Sequence, residues 1–463
     1  MTSIFNRILY IPKQIYYYHV NNFIGFCNPY SYKGIVVLNR TAKKIFDSIN
    51  GQKSIIEIIN YNKGILKPKE TLSIIKRLLN YHIISFTQDS KLHISRSFSG
   101  FKSLSLWFQL TNQCNFRCTY CFVKKNNDMF TKEKIDKFWS ILIPLQKKYN
   151  FKSVRVLIGG GEPLIRFQLV KYLIQTVEFH KKILPLRINI ISNGSLVTEE
   201  VAQFLKKHHV DVGISLDGIG KFNDLTRKLI NKKGTFSLIQ RGLEIFKKIG
   251  VRFNVSITVT KKNVNHLFEL ALYCLKQNVP MSVGFYSQLN NLCKEDLITG
   301  NDEKFINAYK KFLTFVYNYY SNHHLKYSPL KYNNLLYPSR ILYHPYYESC
   351  LGGINYFSVL PDESIRFCAA SNVKLSSLNS RDFVEEARKN YLTLFKDKNV
   401  NNLSKCNYCK WRYICAGGCK QERIELSKTA SPVKCAIYKK LIPHIINLEI
   451  KRIIDLNLLS KSV

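Results

Sequence analysis

Acidic residues are scarce in this chain. Only 31 Asp and Glu stand against 70 Lys and Arg, a formal net charge of +39 over 463 residues. That imbalance leaves two readings open: a solvated lysine-rich surface, or attraction to an acidic partner such as nucleic acid, anionic lipid or an acidic peptide. Long basic tracts and basic amphipathic helices are missing too, so charge alone does not select a partner. No apolar run approaches the roughly 20 residues that a membrane span needs. The opening MTSIFNRILYIPK lacks the unbroken apolar segment of a secretory signal, and the expectation is a cytoplasmic protein with no membrane span. Fixed-period repeats and low-complexity tracts are absent.

Apolar residues make up 46% of the chain and aromatics 13%. At this length two or three domains are expected, with ample material for their cores. Ten of the thirteen cysteines fall in two clusters. In a reducing compartment these read as metal ligands or catalytic thiols before disulfides.

Residues 15–38 alternate polar and apolar around a turn at Asn28 and Pro29, predicting short strands. Asn39 stands at the N-cap of RTAKKIFDSING, where Ala42, Ile45, Phe46 and Ile49 share a helical face and Gly51 fits a C-terminal stop. Two more helical patterns, KSIIEIINYN and KETLSIIKRLLNYH, precede an extended IISFTQD. This predicts a first domain over residues 1–95.

From residue 102 the pattern becomes strand, loop, helix, repeated to about residue 300. Strands are predicted at 104–110, 154–158, 187–192, 212–216, 252–259 and 281–287. Apolar strands alternating with helices imply parallel βαβ units, in an open sheet or a full or partial barrel. Six units are too few for the usual eight-stranded closure. A helical linker over 301–344 leads to a cysteine-rich region, 345–440, that needs a staple other than a core. The tail, 441–463, reads as a closing helix interrupted at Pro443.

CNFRCTYC places Cys114, Cys118 and Cys121 directly after the first strand of the repeated units. GGGEP follows the second strand, SNG the third and LDG the fourth, all at C-terminal strand ends, where βα folds place their chemistry. Buried inert thiols would be the bland alternative. A closed zinc site wants four ligands and no fourth is nearby. A four-iron cluster held by three thiolates keeps one iron open to a non-protein ligand.

The C-x3-C-x2-C spacing, with Tyr120 before the last cysteine, and the GGEP stretch resemble the radical S-adenosylmethionine (SAM) superfamily. The resemblance implies that Cys114, Cys118 and Cys121 hold a [4Fe-4S] cluster whose open iron is chelated by SAM. An electron would cleave SAM to a 5′-deoxyadenosyl radical, with a reductase, flavodoxin or ferredoxin as donor. It also implies that Gly160, Gly161 and Glu162 hold the methionyl amino group and that Ser192, Asn193 and Ser215 face the ribose. Glycines there let backbone approach a ligand, and a carboxylate accepts from an ammonium. Asp217 and Arg227 are candidate catalytic contacts to cofactor or substrate. Each of these turns, taken alone, is more often simply a turn.

The second cluster has Cys406, Cys409, Cys415 and Cys419, with Cys435 after and Cys350 and Cys368 before. A zinc ribbon competes for the C-x2-C opening. The whole pattern resembles the SPASM extension of radical enzymes that modify peptides and proteins, which binds two auxiliary [4Fe-4S] clusters. Carried over, Cys350, Cys368 and Cys419 would serve the first, and Cys406, Cys409, Cys415 and Cys435 the second. The family commonly has glycine where Glu363 stands. Some members have an eighth cysteine where His344 stands, so the first auxiliary cluster could have an iron open to a substrate thiolate, or one closed by His344, another side chain or water. Cys27, Cys274 and Cys293 read as packed or incidental thiols.

The first domain resembles the PqqD-like recognition element of ribosomal peptide pathways, a small winged-helix fold that adds a leader peptide as an extra strand. The lysine excess would attract acidic leaders. Together these resemblances imply a partial (β/α)6 TIM barrel with an N-terminal winged-helix domain and a C-terminal SPASM domain. The implied function is a maturase that forms a thioether or carbon–carbon crosslink in a precursor peptide, with no nucleic acid as partner. Two alternatives remain: a sulfatase-type maturase, and a zinc-dependent nucleic-acid-binding protein.

Overall fold

The computed structural model describes residues 4–31, 33–88, 102–287, 289, 302–323, 350–395, 399–425 and 432–456. His344 and Cys293 lie outside the described residues.

Near the N-terminus, β1 (Tyr16–Val20), β2 (Phe23–Cys27) and β3 (Ile35–Asn39) form an antiparallel meander in that order. Asn39 caps α1 (Arg40–Asp47) by accepting from the Ala42 amide. Ser54 and Glu57 form a capping box on α2 (Ile55–Tyr61), and proline opens α3 (Pro68–Asn80). One sheet face, with Ile24, Phe26, Val36 and Leu38, packs on Ile45, Phe46, Ile58, Ile75 and Leu78 of these helices. Two expectations need correction. Helix α1 ends at Asp47, and Gly51, at φ +76°, serves the turn beyond it. IISFTQD forms no strand: Ser85 makes one isolated bridge to Tyr10, and consecutive Ile83 and Ile84 are both buried, whereas a strand sends neighbours to opposite faces.

The central sheet places β4 (Ser103–Thr111), β5 (Ser153–Gly160), β6 (Leu186–Ser192), β7 (Asp211–Ser215), β8 (Phe253–Val259) and β9 (Met281–Phe285) side by side in sequence order, all parallel. All six predicted strands are present. Leu104, Leu106 and Phe108 of β4 and Val154, Val156 and Ile158 of β5 join the helix-side core. Most alternate positions on the other face are polar or small, among them Gln109, Gly159, Asn189, Gly213, Ser215, Ser256 and Thr258, with Trp107, Leu157 and Ile191 as apolar exceptions. This open sheet is a partial barrel with a largely polar inner face.

The sheet does not stop at β4. Beyond it β10 (Tyr356–Val359) pairs parallel with β4, followed by antiparallel β11 (Ser364–Arg366) and β12 (Lys374–Ser377). The cysteine-rich region is thereby stitched to the barrel edge. In the β10–β11 turn Glu363 adopts φ +62°. A left-handed side-chain-bearing residue costs about 1–2 kcal/mol, and the half-exposed ion pair from Lys137 to Glu363 returns only part of that. Glu363→Gly is therefore expected to stabilise the chain by up to about 1 kcal/mol, read as a higher thermal midpoint than wild type.

The last helix, Pro432–Asp455, runs straight through Pro443, correcting the predicted interruption. Proline there removes a helix hydrogen bond, a loss of about 3 kcal/mol in an isolated helix. Packing on two sides outweighs it: Ile437, Leu441, Ile445 and Leu448 enter the barrel core, while Ile442, Ile446, Ile450 and Ile453 meet the β1–β3 sheet. No described helix is long and apolar enough to cross a membrane.

His444 on this helix lies 3.1 Å from Thr314 Oγ1 and 3.2 Å from the Lys310 carbonyl of α4 (Glu303–Asn322). Burial holds its pKa below the ordinary 6.5, and nearby Lys310 and Lys451 push the same way. The folded state thus favours the neutral ring. Its contribution to stability is complete above the ordinary value and is lost as pH falls through 6.5 toward the lower folded value. The thermal midpoint is expected to fall on acidification through that window, and to fall less in His444→Gln.

Candidate metal centre

The loop leaving β4 carries Cys114, Cys118 and Cys121, and the loops after β5, β6 and β7 each hold one part of it. Gly161 N donates to Thr111 O and Glu162 N to Gln113 O, both at 2.7 Å, fixing the loop's start to the end of β5. Asn115 donates to Ser195 Oγ and accepts from Asn193 Nδ2, both at 2.9 Å, fixing its next step to β6. Arg117 N and Thr119 N donate to the carbonyls of Lys228 and Thr226 at 2.7 and 2.9 Å. Tyr120 OH donates to Asp217 Oδ2 at 2.6 Å, after β7.

The glycines let the cysteine loop come close to the end of β5. A Cβ on Gly161 would stand 1.9 Å from the Gln113 carbonyl oxygen, and one on Gly160, at φ +125°, 2.4 Å from that of Thr111. The partner they let close is the cysteine loop itself. Glu162 is fully buried, and its carboxylate accepts from Leu164 N at 3.0 Å, Ser192 Oγ at 2.8 Å and Asn193 N at 2.6 Å. Burial pushes its pKa up to about 7 against those three donors. Ser192 and Asn193 are buried with it, while Ser215 stays half-buried opposite Ser256. Asp217 is fully buried and takes four donors: Tyr120 OH, Thr226 Oγ1 at 3.0 Å, Thr258 N at 2.9 Å and Arg227 Nη2 at 3.3 Å, with Arg227 Nε 3.0 Å from Oδ2 in the ion pair. Arg227 also reaches to 4.0 Å from Cys118 Sγ. Sequence reasoning missed Asn115 and the Tyr120–Asp217 bond. A polar residue inside the C-x3-C spacer was the available signal.

The three thiols suit a shared cationic centre. They lie within electrostatic reach of one another, and burial pushes Cys118 up to about 12 and raises Cys114. Uncompensated burial keeps Cys114 and Cys118 neutral; positive metal charge favours their thiolates. Donors already face them, with Phe116 N 3.4 Å from Cys114 Sγ and Lys125 Nζ 3.1 Å from Cys121 Sγ. Among the described residues no three His, Cys, Asp or Glu side chains close around a single-ion point. Three soft sulfur donors on one short loop fit an iron–sulfur cluster, which three thiolates can hold, better than a closed zinc site, which wants four ligands.

The remaining cysteines fall into two groups. Burial pushes Cys415 up to about 12, with Cys409, Cys406 and Cys435 close enough to add to the rise. Cys419 has Cys350 beside it, and Tyr356 feels both Cys368 and Cys350. Cys27 is buried in the apolar cluster that Cys409 and Cys415 also join, and Cys274 in the barrel core; burial pushes each up to about 12.

Known proteins are similar to this chain in sequence and fold. An uncharacterized protein of Methanocaldococcus jannaschii is 30% identical over 270 residues, covering 55% of this chain and 90% of that one. A cysteine-type anaerobic sulfatase-maturating enzyme of Clostridium novyi is 25% identical over 350 residues, 70% of this chain and 89% of that one. The structure of Streptococcus suis SuiB bound to its precursor peptide SuiA superposes with a TM-score of 0.53 at 16% identity, over 92% of this chain and 98% of that one. Residues 108–273, from β4 through most of the barrel, match the Radical SAM superfamily. Three thiols on a loop braced by three successive strand ends, in a chain with this match, make it a member of the radical SAM superfamily, which works with a [4Fe-4S] cluster and SAM.

Proposed function

We propose that this chain matures a ribosomally synthesised peptide, forming a thioether or carbon–carbon crosslink. The observation that carries the proposal is the union, in one chain, of the braced cysteine loop, two further cysteine groups and a basic N-terminal sheet domain. Cys114, Cys118 and Cys121 would hold the cluster that binds SAM, with Ser215 on the inner face available to a ribose. When bound, these cofactors supply a 5′-deoxyadenosyl radical that takes a hydrogen atom from carbon. Joining a thiol or a second carbon to that position removes two hydrogens in all, so one further electron must leave. Cys350, Cys368 and Cys419, and Cys406, Cys409, Cys415 and Cys435, would hold the auxiliary clusters that accept it. The largely polar inner face of the barrel suits a peptide's amides.

The N-terminal domain would capture the leader. Among the described residues β1 and β3 are the outer strands of its sheet, and a leader would add beside one of them as a further strand. Through residue 88 the chain has twelve Lys and Arg and three acids, Asp47, Glu57 and Glu70. All three acids are engaged, Asp47 by Lys43, Glu57 by Ser54 and Glu70 by the Lys67 amide. An acidic leader would meet an excess of nine positive charges, twelve basic residues against three acids.

A sulfatase-maturing reading is favoured by the clostridial relative. Anaerobic co-expression with small precursor candidates, followed by peptide mass measurement, tests the two. Loss of two hydrogens from a leader-bearing peptide is expected. Conversion of a sulfatase peptide alone supports the second reading. Zinc without iron, and no 5′-deoxyadenosine on reduction, overturns both.

A further inference from the structure

The β1–β3 sheet uses only one face for its own helices. Its other face, with Cys27, Ile35 and Val37 fully buried and Tyr16, Tyr18, Val20 and Phe23 around them, is pressed on the last helix and on Trp411 and Ile414. The fit is close: a Cβ on Gly25 would stand 2.4 Å from Ile450 Cγ1.

Trp411 and Ile414 lie between Cys409 and Cys415, and both of those cysteines pack into the same apolar cluster. The Tyr16 ring sits 5.4 Å from that of Trp411, and its hydroxyl donates to Asn447 Oδ1 at 2.8 Å. Lys410 stands over both rings. On the other side Tyr30, 7% exposed, packs edge-on at 4.8 Å to Tyr413 and joins a cluster containing Cys406, Leu403 and Ala416. Arg412 lies 5.0 Å from the Tyr30 ring. Residues 16–37 thus line two sides of the cysteine loop 406–415, more than 370 residues away in sequence.

We propose that the N-terminal domain is the protein wall of the second auxiliary cluster, with Tyr16 and Tyr30 as positioning residues that keep water off Cys406, Cys409 and Cys415. This rests on the reading that those cysteines and Cys435 hold a cluster. The hydrophobic shell around a metal site controls solvent access and redox potential. A domain that captures peptide would then also set the surroundings of an electron acceptor about 400 residues downstream in the sequence.

The test uses the full chain with its clusters reconstituted, and reads iron release under air together with reductive titration by electron paramagnetic resonance. In Tyr30→Ala and Tyr16→Ala, one cluster's share of the iron is expected to leave about 10-fold faster, as for other outer-shell losses. One of the three cluster signals should also shift in midpoint. Tyr30→Phe and Tyr16→Phe should retain wild-type release. Tyr17→Ala, on the opposite, helix-side face of Tyr16's strand beside Phe26 and Phe46 and 52% exposed, is the control for general loosening of the domain. Equal release from Tyr30→Ala, Tyr16→Ala and Tyr17→Ala overturns the wall. Wild-type protein that never loads iron on Cys406, Cys409, Cys415 and Cys435 overturns the cluster reading, and the wall with it.

Discussion

Replacing Gly161 with alanine is expected to strip iron from the Cys114 loop and to cut 5′-deoxyadenosine formation by about 100-fold, the penalty of an ångström-scale misplacement. The added Cβ would stand 1.9 Å from Gln113 O, 2.6 Å from Gln113 C and 2.9 Å from Asn112 C. These are backbone atoms and cannot swing aside as a flexible side chain does. Relief requires the start of the loop to move off β5, breaking the hydrogen bonds from Gly161 N to Thr111 O and from Glu162 N to Gln113 O. Cys114 follows Gln113 directly, so its sulfur moves with them. The auxiliary cysteines lie on other segments, and their iron should stay. Gly64→Ala, with nothing within 4 Å of its Cβ, supplies the silent comparison. Iron per chain and nucleoside product after reduction are measured together. Wild-type values for both in Gly161→Ala would show that the loop is not held by this contact.

The parts of the fold that were legible in sequence are those where a short segment carries its whole reason. Each barrel strand presents an apolar side to its helices, and the Asn39 cap is written within four residues. Parts set by distant partners were not legible. Strand β10 is four residues long and pairs with β4 from about 250 residues downstream, so no local pattern announces it. Pro443 reads as a break because the packing that outweighs it comes from the barrel and from the N-terminal sheet together. The site shows the same division. The cysteines and the turns after β5, β6 and β7 stand out by residue type, but what the turns touch does not. Glu162, Asn193 and Asp217 read as ligand contacts, and the fold adds partners the sequence does not announce: the Glu162 carboxylate holds the turn after β6, while Asn193 Nδ2 and Asp217 Oδ2 bond Asn115 and Tyr120 of the cysteine loop.

That bracing is most exposed at Asp217. Asp217→Ala is expected to destabilise the chain by about 3–5 kcal/mol, the range for removing one partner of a buried ion pair. Arg227 is only 7% exposed, and although burial disfavours its charge, Asp217 more than offsets that and raises its pKa. Without the carboxylate the guanidinium is left buried and uncompensated, and Tyr120 OH, Thr226 Oγ1 and Thr258 N lose their acceptor. Asp217→Asn keeps the shape but not the charge, so it should fall between wild type and alanine in denaturant unfolding. Removing both charges, in Asp217→Ala with Arg227→Met, should cost less than the sum of the two single changes. A positioning role and a direct catalytic one part company here. If Asp217 positions the loop through Tyr120, stability, iron on Cys114, Cys118 and Cys121, and nucleoside formation decline together in Asp217→Asn. If it acts on cofactor or substrate, that variant keeps its iron and its unfolding midpoint and loses turnover alone.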